Sequence, residues 1–116
     1  MVPRSLGDKI MSLSRSFPII SLTGPRQSGK TTLVKALFPD YSFVNLENID
    51  DRSAAEEDPV RFLRFQSEKG KIIDEAQKVP ALFSYLQGIV DESKEMGKFV
   101  LTGSQNFLLL ESITQS

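Results

Sequence analysis

The spacing of hydrophobic residues changes repeatedly along this chain, and each change marks a switch between helix and strand. Apolar residues recur at helical spacing from Leu6 to Phe17, which predicts an amphipathic helix over residues 5–16 that Pro18 ends. Short runs rich in β-branched and aromatic residues predict strands instead. These runs are IISLTG at 19–24, YSFVNL at 41–46, KIIDEA at 71–76 and FVLTGS at 99–104.

Helices are predicted in the intervals between the strands and after the last of them. In one of these helices Asp58 is the expected cap and Pro59 the first helical residue, where its missing N–H is not needed. Val60, Phe62 and Leu63 are then expected to face the core. Strands that alternate with helices predict an α/β fold, in which helices cover both faces of a parallel sheet. The predicted helices run from Lys30 to Phe38, from Pro59 up to Gly70, from Pro80 up to Gly97 and from Asn106 onward.

The composition limits the classes of function. A chain of 116 residues, 40% hydrophobic and 25% charged, is typical of one soluble globular domain. The net charge of −1 gives no electrostatic footprint for nucleic acid or anionic lipid. The absence of His and Cys excludes disulfides, thiolate nucleophiles, Cys/His zinc sites and His-based triads. Any catalysis must therefore use carboxylates, Lys, Ser or Thr, backbone amides or an oxygen-ligated cation.

The two ends of the chain and its apolar runs indicate where the protein is located and whether these residues form a whole domain. The N-terminal residues lack the apolar stretch of a signal peptide, and no run approaches the ~18 apolar residues of a membrane span. We therefore expect a cytoplasmic protein with no membrane partner. The last predicted helix continues to Ser116, so we expect residues 1–116 to be part of a larger domain.

The segment GPRQSGKTT, between the first strand and the next helix, fits the pattern G-x-x-x-x-G-K-[ST]. Glycines let the backbone turn tightly and approach a polyphosphate, which the loop amides and the positive helix end attract. Lys30 is expected to reach the β- and γ-phosphates, and Thr31 to offer its hydroxyl to Mg²⁺. The alternative is a glycine-rich turn that binds nothing. The predicted nucleotide-binding residues are Gly24, Pro25, Arg26, Gln27, Ser28, Gly29, Lys30, Thr31 and Thr32.

Two acids follow the third predicted strand in the run KIIDE. Ligands of open α/β sheets bind at the carboxyl ends of the strands, where these acids would lie near the phosphate loop. Asp74 is therefore expected to hold Mg²⁺ through a bound water, and Glu75 to orient or deprotonate an attacking water. The alternative for Glu75 is an ordinary exposed acid. Gln77 and Lys78, just past the acids, are expected to be solvated.

The fourth predicted strand ends in the polar sequence LTGSQN. If the strand order is 1-4-3-2, this tip lies between the first and third strands, within reach of the γ-phosphate or the attacking water. Ser104 is the first candidate for that contact and Thr102 the second, while a serine that caps the next helix is the alternative. The expected catalytic residues are thus Lys30, Glu75 and Ser104, and the expected metal residues are Thr31 and Asp74.

Four segments together resemble a known family, the bacterial and archaeal AAA-type ATP-binding proteins. The segments are LTGPRQSGKTTL, NLENIDDRSAAEEDP, IIDEAQKVPALFSYLQGIVDE and FVLTGSQNFLLLESITQS. In that family the phosphate loop commonly reads G-P-R-x-x-G-K-T, the acidic strand I-D-E-x-Q-x-x-P and the fourth strand L-T-G-S. The resemblance covers almost all of the chain and corresponds to the N-terminal part of family members.

The resemblance implies a P-loop NTPase three-layer sandwich, with an extra strand between the phosphate-loop and acidic strands. It implies ATP and Mg²⁺ as cofactors and gives the residues named above the same roles, with Ser104 as a sensor-like polar residue. It also implies a fifth strand, a lid and a nuclease-like C-terminal domain, none of which these 116 residues contain. The implied partners are nucleotide, further copies of the chain through the ATPase face, and DNA only through that C-terminal domain.

Among the functions that suit these residues, Mg-dependent ATP hydrolysis coupled to a conformational or DNA-related task is favoured. A GTPase switch would carry a guanine-reading N-K-x-D motif, which the sequence lacks. A small-molecule kinase is disfavoured because the glutamate after Asp74 favours water as the nucleophile. The alternative is a nucleotide-binding regulatory module without significant turnover. We expect weak turnover or none from these 116 residues alone, because the lid and subunit-borne arginines lie outside them.

Overall fold

The computed structural model describes residues 4–24, 29–64 and 69–104. Helices alternate with strands in this part of the chain as predicted, except that two helices rather than one separate the second and third strands. The strands are one or two residues shorter than the predicted runs, and the last predicted helix lies outside the described residues. The elements are α1 Arg4–Ser16, β1 Ile19–Thr23, α2 Lys30–Leu37, β2 Ser42–Asn45, α3 Ile49–Glu57, α4 Pro59–Arg64, β3 Lys71–Asp74, a short 3₁₀ helix Ala76–Lys78, α5 Leu82–Ser93 and β4 Phe99–Gly103.

The four strands form one parallel sheet in the order β1-β4-β3-β2, which confirms the predicted order. Successive side chains of a strand point to opposite faces, so Ile72 and Ile73 enter different hydrophobic clusters. Ile72 packs with residues of α1 and α2, and Ile73 packs with residues of α3, α4 and α5. Helices therefore cover both faces of the sheet, as the near-continuous apolar strands require.

Helix α3 was not predicted from the sequence. Its first turn is capped by Asn48, whose side-chain oxygen accepts hydrogen bonds from the amides of Asp50 at 2.9 Å and Asp51 at 3.2 Å. Ala55 is the residue of α3 that is buried, while Ile49 is 74% exposed. Because the helix rests on this small contact, its sequence carries no apolar stripe that a periodicity argument could find.

The start of α4 agrees with the sequence in part. The Asp58 carboxylate accepts from the amide of Arg61 at 3.1 Å, which confirms the predicted cap. Phe62 and Leu63 are buried as expected, but Val60 is 38% exposed and the prediction that it faces the core was wrong. Val60 lies in the first turn of this six-residue helix and is not among the residues of the hydrophobic cluster that holds the other two.

A buried lysine ties α4 to the start of β3. Lys71 Nζ donates to the carbonyl oxygen of Phe62 at 2.6 Å and lies 3.9 Å from the centre of the Phe62 ring. Burial lowers the pKa of Lys71 to about 8, and the nearby Asp51 carboxylate opposes that shift. The amine thus satisfies a carbonyl in the last turn of α4 and fixes this helix against the sheet.

Candidate functional site

The candidate site lies where β1, β4 and β3 end, next to the N terminus of α2. The amide of Gly24 donates to the carbonyl of Gly103 at 3.2 Å, so the exit from β1 stays beside the end of β4. β4 is the central neighbour of both β1 and β3. The carboxyl ends of these three strands therefore converge on one edge of the sheet, which is where α/β proteins bind ligands.

Gly29 leads into α2 through a left-handed backbone conformation. Its φ is 86° and its ψ is 5°, and its carbonyl accepts from the amide of Leu33 at 2.9 Å. A Cβ built on Gly29 would meet no described atom within 4 Å, so the backbone conformation rather than crowding favours glycine here. Four of the predicted nucleotide-binding residues, Pro25, Arg26, Gln27 and Ser28, lie outside the described residues.

The first three residues of α2 differ in exposure. Lys30 is only 8% exposed, Thr31 is half-buried and Thr32 is exposed. The first amides of a helix and the positive end of its dipole favour an anion in front of this terminus. Lys30 and Thr31 accordingly begin the helix at the point where a phosphate would be attracted.

Asp74 is the centre of a buried hydrogen-bond network. Its side chain is at the end of β3, 6% exposed, and its Oδ2 accepts from Thr31 Oγ1 at 3.2 Å. Its Oδ1 accepts from the hydroxyl of Thr102 and from the amide of Glu75, the latter at 3.1 Å. The structure therefore brings together Thr31 and Asp74, the two residues predicted to hold the metal.

Thr102, the second candidate for a phosphate contact, has a position that the sequence reasoning did not anticipate. It is fully buried in β4, and its hydroxyl donates to Asp74. The hydroxyl proton is thus used in this hydrogen bond rather than offered to a ligand, and Thr102 fixes the orientation of the Asp74 carboxylate. Of the two candidates at the end of β4, Ser104 is the half-buried one at the edge of the sheet.

Glu75 is held in an uncommon backbone conformation directly after β3. Its φ is 56° and its ψ is 47°, a left-handed conformation that costs a non-glycine residue about 1 kcal/mol. Its side chain is 6% exposed, so the alternative of an ordinary exposed acid was wrong. The reversal turns the chain into the 3₁₀ helix and brings Glu75 back toward the tip of β4.

Gln77 was expected to be solvated, but it connects the two remaining predicted catalytic residues. Its Nε2 donates to Glu75 Oε1 at 2.7 Å and to Ser104 Oγ at 3.3 Å. A signal was present in the sequence, because a glutamine two residues after an acid at a strand end has the reach to contact it. The sequence could not show that the residues after Glu75 turn back toward β4.

The donor set suits magnesium better than a metal that needs a complete protein cage. Within residues 4–24, 29–64 and 69–104, no group of three or more acidic side chains is positioned to hold a metal ion. Magnesium commonly takes one or two carboxylates together with waters and substrate phosphates. Asp74 and the Thr31 hydroxyl therefore fit a Mg²⁺ ion that arrives with a nucleotide.

Comparison with known proteins assigns the chain to a family. Residues 16–116 match the AAA domain family. The chain belongs to this family. Membership indicates a nucleotide-binding function of the ATPase type, and the parallel α/β sheet with its 1-4-3-2 order agrees with such a domain.

Two mycobacterial relatives show that this chain matches a small part of longer proteins. They are the uncharacterized protein Rv2008c of Mycobacterium tuberculosis and the uncharacterized protein Mb2031c of Mycobacterium bovis, each 38% identical over 91 residues. The match covers 75% of this chain and 20% of each relative. The chain therefore spans about a fifth of the length of these relatives. In the part of the AAA domain that the structure describes, no helix has the length and apolar character needed to cross a membrane.

Proposed function

We propose that this AAA domain binds Mg-ATP and hydrolyses it to ADP and phosphate. The observation that carries the proposal is the hydrogen bond of 3.2 Å between Thr31 and Asp74. These residues are 43 positions apart in the chain, yet the fold joins the hydroxyl after the phosphate-loop lysine to the carboxylate at the end of β3. A hydroxyl and a carboxylate that meet beside a helix N terminus match the magnesium arrangement of P-loop nucleotide hydrolysis.

Each of the residues at this edge of the sheet has one task in the proposed mechanism. Lys30 and the amides of residues 24–31 bind the phosphates, and Thr31 and Asp74 hold the metal. Bound Mg²⁺ would neutralise charge on the phosphate oxygens. Ser104, at the tip of β4, donates to the γ-phosphate or to the attacking water.

Glu75 is the residue proposed to act on the attacking water. Its Oε1 accepts from Gln77, and the carboxylate keeps further lone pairs that orient or deprotonate the water. Glu75 is buried at the same sheet edge as Asp74, so it acts from a fixed position rather than from a mobile surface side chain. Catalysis then consists mainly of positioning and electrostatic stabilisation, which is what phosphoryl transfer requires.

The proposal extends to the larger protein that the relatives suggest. We infer a cytoplasmic protein in which the ATPase face pairs with further copies of the chain, and a neighbouring copy supplies an arginine to the phosphates. A nuclease-like C-terminal domain would make any contact with DNA, because the net charge of −1 does not suit DNA binding through this segment. ATP turnover would drive a conformational or DNA-related task of that larger protein.

Calorimetric titration of the chain with ATP and GTP tests both which nucleotide binds and whether binding depends on the metal. We expect saturable ATP binding in the presence of Mg²⁺ and weaker binding when EDTA removes the metal, because Thr31 and Asp74 act through it. We expect GTP to bind no more tightly than ATP. Tighter GTP binding would contradict the choice of nucleotide, and binding unaffected by EDTA would contradict the role of the metal residues.

A further inference from the structure

The side chain of Gln77 spans the space between the end of β3 and the tip of β4. The 3₁₀ helix Ala76–Lys78 places this side chain there. The amide group of Gln77 contacts one acceptor just after β3 and another just after β4. One acceptor is Glu75 Oε1 at 2.7 Å and the other is Ser104 Oγ at 3.3 Å. An amide nitrogen carries two hydrogens, so Gln77 is able to serve both acceptors at once.

The orientation of this amide group is fixed by its surroundings. The Gln77 Oε1 atom is buried and accepts no hydrogen bond from the described residues, which is unfavourable for a polar atom. The reversed amide would place that oxygen 2.7 Å from the carboxylate oxygen of Glu75 and replace an attraction with a repulsion. The unpartnered oxygen is therefore the consequence of directing both N–H groups toward Glu75 and Ser104.

In both hydrogen bonds Gln77 is the donor, which affects how each neighbour is able to bind a further group. A serine hydroxyl that accepts from Gln77 keeps its own proton for a further acceptor, such as a phosphate oxygen. A carboxylate has about four acceptor sites, so the bond from Gln77 orients the Glu75 carboxylate and still leaves lone pairs for a water molecule. Gln77 thus leaves the Ser104 proton available for a phosphate oxygen and holds the Glu75 carboxylate in one orientation.

We infer that Gln77 is a positioning residue that links Glu75 to Ser104, so that contact between Ser104 and the γ-phosphate is transmitted to Glu75. This inference rests on the proposed function. A phosphate that pulls on Ser104 lengthens or shortens its 3.3 Å bond to Gln77, and the same amide group holds Glu75. Occupation of the phosphate site therefore changes how Gln77 holds Glu75, the residue that acts on water.

NMR of the nucleotide-free chain tests the link without any turnover. The side-chain amide signal of Gln77 is identified by its loss in Gln77→Met, which keeps the length of the side chain but removes its donors. We expect Glu75→Gln and Ser104→Ala each to shift this signal, because each changes one of the two acceptors. A Gln77 signal that neither substitution moves would overturn the inference.

A glutamine elsewhere in the fold supplies the matched control. Gln87 in α5 donates from Nε2 to Asp91 Oδ1 at 3.0 Å, an ordinary bond within an exposed helix surface. Gln87→Met removes an equivalent amide, and we expect it to leave the Gln77 signal unchanged. A shift of equal size in this control would mean that the signal reports general changes of the fold, and the inference would fail.

A second arm adds Mg²⁺ and adenylyl imidodiphosphate, a non-hydrolysable ATP analogue, with binding followed by calorimetry. We expect the bound analogue to shift the Gln77 signal in the wild-type chain and to leave it nearly unchanged in Ser104→Ala. Binding with an equal response in both proteins would overturn the transmitted contact while leaving the proposed function intact. Absence of binding would instead contradict the proposed function, and the nucleotide-free arm would still decide whether the link exists.

Discussion

Replacing Lys30 with alanine is expected to weaken Mg-ATP binding by about 100-fold. A hydrogen bond to a charged group is worth about 1.5–3 kcal/mol, and each 1.4 kcal/mol is a factor of ten in affinity. Lys30 is 8% exposed at the first position of α2, so the ammonium acts in partly desolvated surroundings where its attraction for phosphate is strong. Calorimetric titration with Mg-ATP measures the loss.

The control for this variant is Lys35→Ala, on the same helix. Lys35 is exposed and lies 4.3 Å from the centre of the Phe43 ring, so its removal takes away one positive charge without touching the sheet edge. We expect its effect on affinity to be less than about threefold, since exposed charges are well screened. Lys30→Met, which keeps the apolar stem, should bind as poorly as Lys30→Ala. Wild-type affinity in either Lys30 variant would refute the assignment of this lysine.

In the larger protein that we infer, Glu75→Gln is expected to reduce ATP hydrolysis by about 10²- to 10⁴-fold, the usual contribution of a positioned acid or base. The substitution preserves the size of the side chain but removes the charge that would attract a proton from water. Glu75 contributes no ligand to the proposed phosphate or metal contacts, so Mg-ATP affinity should change by no more than about twofold. Single-turnover hydrolysis with protein in excess measures even a slow wild-type rate.

Glu56→Gln is the matched substitution for this second prediction. Glu56 is an exposed acid in the last turn of α3, and its replacement should leave both hydrolysis and binding unchanged. Unchanged hydrolysis in Glu75→Gln, with binding intact, would remove Glu75 from the mechanism. That result would favour the alternative of a regulatory module in which bound nucleotide sets a conformation.

The residues at the site edge of the sheet could be predicted from the sequence, because their position depends on the order of the strands and on where each strand ends. Once β1 and β3 are recognised as strands, their carboxyl ends must lie at one edge, and Lys30, Asp74 and Ser104 follow from their places in the chain. The period of two along a strand also suffices to put Thr102 on the same face as Asp74, since Val100 and Ile72 share that face. Without that alternation, Thr102 stood as the second candidate, after Ser104, for a contact with ligand.

Other features depend on contacts that no local pattern encodes. Gln77 and Ser104 are 27 residues apart, and their hydrogen bond exists only because Glu75 adopts a left-handed backbone that returns the chain toward β4. Aspartate and asparagine visit that conformation more readily than glutamate, so the residue type gave no warning. Helix α3 was not predicted for a different reason. It is stabilised locally by its Asn48 cap, and it has no apolar stripe that hydrophobic periodicity would detect.

The proposed function depends on one arrangement, in which the loop before α2 and Lys30 bind a triphosphate while Asp74 and Thr31 hold its metal. The most direct measurement is a crystal structure of the chain grown with Mg²⁺ and adenylyl imidodiphosphate. We expect the phosphates against the amides between Gly24 and Thr31, with Lys30 on the β- and γ-phosphates and the metal between the Thr31 hydroxyl and Asp74. A nucleotide bound elsewhere, or a metal remote from Asp74 and Thr31, would contradict the account.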